Sequence, residues 1–88
     1  MQEGNDFVMQ PDLQDVRFYV GLKQSTEAIK NGKAARAFVA NDADDHVRLP
    51  FVMLCEENGI PLEICESKAK LGKNFGISVS AACAVILK

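Results

Sequence analysis

The run Ala81-Ala82-Cys83-Ala84-Val85-Ile86-Leu87 contains no polar side chain. It is far too short to cross a bilayer, which takes about 20 residues in a helix. A strand with one wet face alternates apolar and polar residues, so a short continuous apolar run reads as a central strand covered on both faces. That requirement constrains everything before it, because the chain must supply a layer for each face of a sheet. With 88 residues, 48% of them hydrophobic, there is material for one such domain and little stability in reserve.

The rest of the chain alternates in kind. Arg17-Phe18-Tyr19-Val20 is an aromatic and β-branched run ended by Gly21, a strand signal. From Leu22 the spacing turns helical: Leu22, Ser25-Thr26 and Ile29 share a stripe, Ala28 lies beside it, and Asn31-Gly32 supplies a stop. Ala37-Phe38-Val39-Ala40 is a second short apolar strand. After the break at Asn41–Asp45, residues Val47, Phe51, Leu54 and Cys55 form one helical face that Asn58-Gly59 terminates. Pro50 cannot sit deep in a helix, so the regular part is expected to start near Leu49-Pro50 after a loose turn through 44–48. Pro61–Cys65 reads as a third strand, and Ser67 caps a helix kept brief by Gly72 and Gly76. The order predicts an α/β fold, a three-layer α/β/α sandwich with a mixed, mostly parallel four-stranded sheet.

Residues 1–16 hold Glu3, Asp6, Asp12 and Asp15 and no base, and 1–11 mix Gly, Asn, Gln, Asp and Pro without a period. They read as an acidic, flexible lead-in to a single domain at 17–88. The N-terminus lacks the charged-then-apolar pattern of a signal peptide. Cys55, Cys65 and Cys83 are odd in number, lie in apolar context and include no C-x-x-C pair. That usage points to reduced, buried thiols in a cytoplasmic protein. No Gly-rich phosphate loop, metal-ligand cluster or nucleophile–base pair stands out. Neither an enzyme nor a cofactor is expected.

Chemistry concentrates instead where two helices begin. Lys23 follows Gly21-Leu22, and Lys68 and Lys70 follow Ser67. A helix start carries roughly half a positive charge and unpaired N–H groups, so a lysine there opposes the dipole by a few tenths of a kcal/mol. Such a placement makes sense when an anion lies across the end; the competing reading is plain solvated surface. Net charge is −2, but from residue 17 onward ten bases face eight acids. Only a focused anion site is compatible with so mild a balance. In open α/β sheets ligands gather beyond the strands' carboxyl ends. Here those are Gly21–Gln24, Asn41–Asp45, Glu66–Lys70 and the turn before the fourth strand, and both lysine sites fall among them.

Taken in order, several segments resemble the ribosomal L-seven-Ae family, which binds kink-turn RNA, and in particular its small bacterial members. Gly21-Leu22-Lys23-Gln24 is similar to the family's Gly-x-(Asn/Lys)-(Glu/Gln) signature, and Asn41–Asp44 to its acidic loop. Leu49-Pro50 with Leu54–Glu57, then Ser67-Lys68, Leu71–Lys73 and Gly76–Ala82, follow in the family's order over about residues 17–88. The resemblance implies a non-catalytic, monomeric RNA binder, ribosomal or ribosome-associated, that stabilises a sharply bent duplex. It implies that Gly21 allows close backbone approach and that Lys23 and Gln24 read guanine and adenine edges, for which their donors and acceptors suit. It places Lys68 at the RNA backbone, Asp44 near a flipped-out nucleotide, and Ile77–Ala82, including Val79, Ser80 and Ala81, against extruded bases. Recognition through distorted, non-duplex features is general for specific RNA binders.

Each residue also has a plainer reading: Gly21 as a turn, Asp42 and Asp44 as helix caps, Val79 and Cys83 as core. Two positions depart from the family. Glu27 replaces a usual Lys, within reach of Lys23 at i+4, with Lys30 a turn beyond as compensation. Asp45 stands where Pro is common. The alternative function is a protein-interaction module on the same fold with weak or lost RNA binding.

Overall fold

The computed structural model describes residues 17–88; the acidic segment 1–16 lies outside them. Elements follow as β1 (Phe18–Val20), α1 (Leu22–Lys30), β2 (Ala34–Ala40), α2 (Asp45–Glu57), β3 (Leu62–Cys65), α3 (Lys68–Asn74) and β4 (Cys83–Leu87). The strands make one sheet in the order β1-β4-β2-β3. The apolar C-terminal run is thus a central strand, with Cys83, Ala84 and Val85 buried.

Alternation along β2 and β4 sends side chains into two cores. Ala37 and Val39, with Cys83 and Val85, meet Ala28 and Ile29 of α1 and Phe51 and Cys55 of α2. Phe38, Ala40 and Ala84 face the other way, against Leu71 of α3 and Phe75. Phe75 holds that second layer together, with its ring 5.0 Å from Phe18 and edge-on to Phe38 at 5.4 Å. Burying side chains of the size of Phe38, Phe51 or Leu71 contributes about 1.5–3 kcal/mol each. The α/β/α sandwich is as expected.

The mostly parallel sheet is not. β2 and β3 pair in parallel, but β4 is antiparallel to both β1 and β2. The cause is the segment after α3. Gly76, at φ +75°, reverses the chain, and the loop then runs back along α3 until Ala81 N–H donates to the Lys68 carbonyl at 3.1 Å. The helix carries the chain away from the strands' carboxyl ends and the loop carries it back, so β4 enters from the end where β1, β2 and β3 finish.

Helix α2 also differs from expectation. It starts at Asp45, and Pro50 lies inside it. Proline removes the bond to the carbonyl four residues back, and its ring crowds that carbonyl. That residue is His46, which is exposed and within the helix's first turn, so the loss falls where water can compensate.

Candidate nucleic-acid interface

Antiparallel entry of β4 is what brings four loop segments to one edge of the sheet. Gly21 N–H donates to the Cys83 carbonyl, Ala40 N–H to the Ala82 carbonyl, and Asn41 N–H to the Cys65 carbonyl, each at 2.8 Å. Had β4 run parallel, the turn before it would lie at the opposite end. Both lysine-bearing helix starts open from this edge, α1 after β1 and α3 after β3, strands that lie three spacings or about 14 Å apart, with the two helices on opposite faces of the sheet.

The two helix starts differ electrostatically. α1 has no side-chain cap and no acid in its first turn, so its N–H groups and the exposed Lys23 and Gln24 point to a shared positive end. Gly21 adopts φ +111°, a conformation that disfavours any side chain. An added Cβ there would meet nothing within 4 Å, so the glycine is demanded by backbone geometry and the space before it is open. At α3 the donors are already used. Lys68 N–H donates to Asp42 Oδ1 at 2.8 Å and Lys70 N–H to Ser67 Oγ at 3.1 Å. Lys70 Nζ lies 3.7 Å from Glu66 Oε1. The second site therefore offers the Lys68 ammonium rather than a full set of backbone donors.

The remaining candidate residues distribute as follows. Asp44 is the N-cap residue of α2 but makes no side-chain cap bond, and its exposed carboxylate stays on the edge. Ile77 packs half-buried on the α3-side core, Ala81 is buried, and Ser80 is exposed. Val79 is 66% exposed, so it is a loop-tip side chain and not core. Lys30 sits apart from the others. It lies in the last turn of α1, where it complements the helix dipole, and it lines a groove facing α2 with Leu22, Thr26 and His46. Glu27 makes no ion pair with Lys23; among the described residues the pairs are Arg36–Glu63, Arg48–Asp45 and Lys70–Glu66.

Two residues matter here that sequence reasoning placed elsewhere. Asp42 caps α3 rather than the helix that follows it, tying the second loop to Lys68. Gly72 lies within α3, and a Cβ there would stand 2.1 Å from the Val79 carbonyl oxygen; only glycine lets the 76–82 loop pack so closely. A glycine inside a helix costs about 1 kcal/mol relative to alanine, and that cost was the available signal. The thiols take no part. Burial pushes Cys55 up to about 11, with Glu56 adding to it, and Cys83 up to about 12, with Cys55 adding; burial and then Glu63 raise Cys65 as well. Among the described residues no group of His, Cys, Asp and Glu could hold a metal ion, and no helix is long and apolar enough to cross a membrane.

The described residues thus form an α/β/α domain that presents one loop-built edge, with an uncapped helix start and an apolar loop tip. The chain belongs to the Ribosomal protein L7Ae/L30e/S12e/Gadd45 family, whose family model matches residues 10–88. It is 40% identical over 65 residues to an RNA-binding protein of Caldanaerobacter subterraneus subsp. tengcongensis, covering 74% of this chain and 79% of that one. It is 38% identical over 76 residues to an RNA-binding protein of Geobacillus thermodenitrificans, covering 86% and 93%. Among solved structures it is similar to the Giardia lamblia 15.5kD RNA binding protein, with TM-score 0.77 and 30% identity over 90% of this chain and 65% of that one. A Bacillus halodurans protein of unknown function shares the fold at TM-score 0.80 and 18% identity.

Proposed function

We propose that this protein binds RNA without catalysis, recognising and stabilising kink-turns in ribosomal or other structured RNA, and that it acts as a cytoplasmic monomer. The observation that carries the reading is the meeting of Gly21–Gln24, Lys68 and Ile77–Ala82 on one sheet edge. Membership of the family and the RNA-binding names of its relatives support it. In this reading the start of α1 enters the widened groove of the bent duplex. Lys23 donates to guanine O6 or N7, and the Gln24 amide pairs with an adenine edge. Lys68 neutralises a phosphate, Asp44 lies near a flipped-out nucleotide, and the Val79 tip packs against an extruded base.

Because the edge also carries Asp42, Asp44 and Glu66, selectivity has to come from shape and base edges more than from bulk charge. The test is a gel-shift series against a kink-turn RNA and a straight duplex of equal length. A clear preference for the kink-turn is expected; equal binding to both would overturn the reading. A protein-interaction role on the same fold is favoured by one observation, the exposure of Leu49 and Met53 on α2 at 51% and 58%. Protein that purifies with bound nucleic acid supports the first reading, and a clean protein complex supports the second.

A further inference from the structure

On the side of α1 away from α2, a cleft of ≈ 240 Å³ runs between that helix and β1, lined by Tyr19, Gln24, Glu27, Ala28, Asn31 and Lys33. A second cleft of ≈ 290 Å³, lined by Arg17, Tyr19, Gly32, Lys33, Leu87 and Lys88, adjoins it through the shared Tyr19 and Lys33. Together they lead from Gln24, on the candidate interface, to the opposite end of the sheet. The nine residues of α1 rise about 13 Å, which sets the scale of this track.

Three cationic residues, Arg17, Lys33 and Lys88, line its far end. Leu87 N–H donates to the Arg17 carbonyl at 2.9 Å, and Lys88 N–H donates to the Lys33 carbonyl at 2.9 Å. Three cationic side chains thus hang from three adjacent, hydrogen-bonded segments, a cluster that exists because β4 is antiparallel to its neighbours. Glu27 is the single carboxylate side chain among the described residues that line either cleft. Midway, Tyr19 presents its ring 40% exposed. None of these features is explained by a ligand confined to the loop edge.

We propose that this cleft is a second RNA contact, a track for a single strand that leaves the bound kink. The proposal rests on the kink-turn reading above. The strand's phosphates run from Gln24 past Tyr19 to Arg17, Lys33 and Lys88, and one unpaired base lies against the Tyr19 ring. The three cations offer one partner each to successive phosphates of a strand lying along the track. A basic groove with an aromatic platform is the general arrangement for single-stranded nucleic acid. Clefts this small admit one chain and not a duplex.

Fluorescence anisotropy at about 0.1 M salt tests this with a minimal kink-turn RNA and with the same RNA carrying a tail of about six uridines on each end in turn. At one tail position, binding is expected to tighten about tenfold. The triple variant Arg17→Gln, Lys33→Gln, Lys88→Gln should abolish that gain and flatten the log–log salt dependence by about 0.7 per cation removed. Its affinity for the minimal RNA and its thermal midpoint should stay unchanged, since all three side chains are exposed. Tyr19→Ala should remove part of the gain. The proposal is overturned when no tail tightens binding, or when the gain survives the triple variant. Failure of the minimal RNA to bind is a different pattern, which overturns the proposed function and this extension with it.

Discussion

Gly72→Ala offers a test of how the interface is built. The new Cβ would stand 2.1 Å from the Val79 oxygen, 3.1 Å from the Val79 carbonyl carbon and 3.3 Å from Ser80 Cα. All three are backbone atoms, so no side chain can swing aside. Contacts below 3.0 Å are essentially never found for a real Cβ, and the Val79 carbonyl must therefore retreat by roughly 1 Å. The loop is not free to do so, because Ile77 N–H donates to the Gly72 carbonyl at 3.1 Å and Ala81 N–H to the Lys68 carbonyl at 3.1 Å. Overpacking costs about 1–3 kcal/mol, and alanine's better helix propensity returns about 1 kcal/mol. A net loss of up to about 2 kcal/mol lowers the midpoint of a domain this size by up to about 15 °C. Displacing the Val79 tip should weaken kink-turn RNA binding by about tenfold, equivalent to about 1.4 kcal/mol. Thermal unfolding followed by circular dichroism and anisotropy with the same RNA read the two effects. Gly76→Ala is the control. Nothing lies within 4 Å of its would-be Cβ, but its φ is +75°, so it should lose about 1–2 kcal/mol of stability through backbone strain alone. A Gly72→Ala protein with unchanged midpoint and unchanged RNA affinity would refute the packing argument.

Four further outcomes follow from the same geometry. Lys23→Ala or Gln24→Ala should each weaken kink-turn binding by about 1–3 kcal/mol per lost base contact, with stability unchanged, by anisotropy and thermal melts. Asp42→Ala removes the acceptor of the Lys68 N–H and should cost about 1–2 kcal/mol by urea unfolding, whereas Asp42→Asn should retain most of it. Ser25 is fully buried and its Oγ has no hydrogen-bond partner among the described residues; Ser25→Ala should therefore raise stability by about 1 kcal/mol. The thiols of Cys55 and Cys83, raised to about 11 and 12, stay neutral in the fold and ionise earlier in the unfolded chain. Their contribution is complete below the ordinary thiol range and fades as pH climbs through about 9 toward 11–12. Urea midpoints should fall from pH 8 to pH 10.5, and by less in a Cys55→Ala, Cys83→Ala protein.

Much of this architecture is legible from local pattern. The apolar run at 81–87 marks the central strand, and the stripes through Leu22–Ile29 and Phe51–Cys55 mark the two helices on one face. Ser67 is readable as a cap because its hydroxyl is the expected partner of the Lys70 N–H. What escaped pattern is nonlocal. Strand direction in β4 depends on whether the eight residues 75–82 continue the crossover or double back, and only the Gly72 and Gly76 pair hints at the second. Pro50 misled because the cost of proline depends on whether the orphaned carbonyl is wet, which spacing does not reveal. Asp42 acts across 26 residues of sequence on Lys68, so its neighbours suggest the wrong helix. At the interface, residue types were readable, but the difference between an open α1 start and a capped α3 start was not.

The most direct measurement is an NMR titration of isotope-labelled protein with kink-turn RNA, mapping which backbone amides shift. Shifts concentrated at Gly21–Gln24, Asn41–Asp44, Lys68 and Ile77–Ala82 are predicted. Shifts centred on the outer face of α2 around Leu49 and Met53, with the loop edge silent, would contradict it.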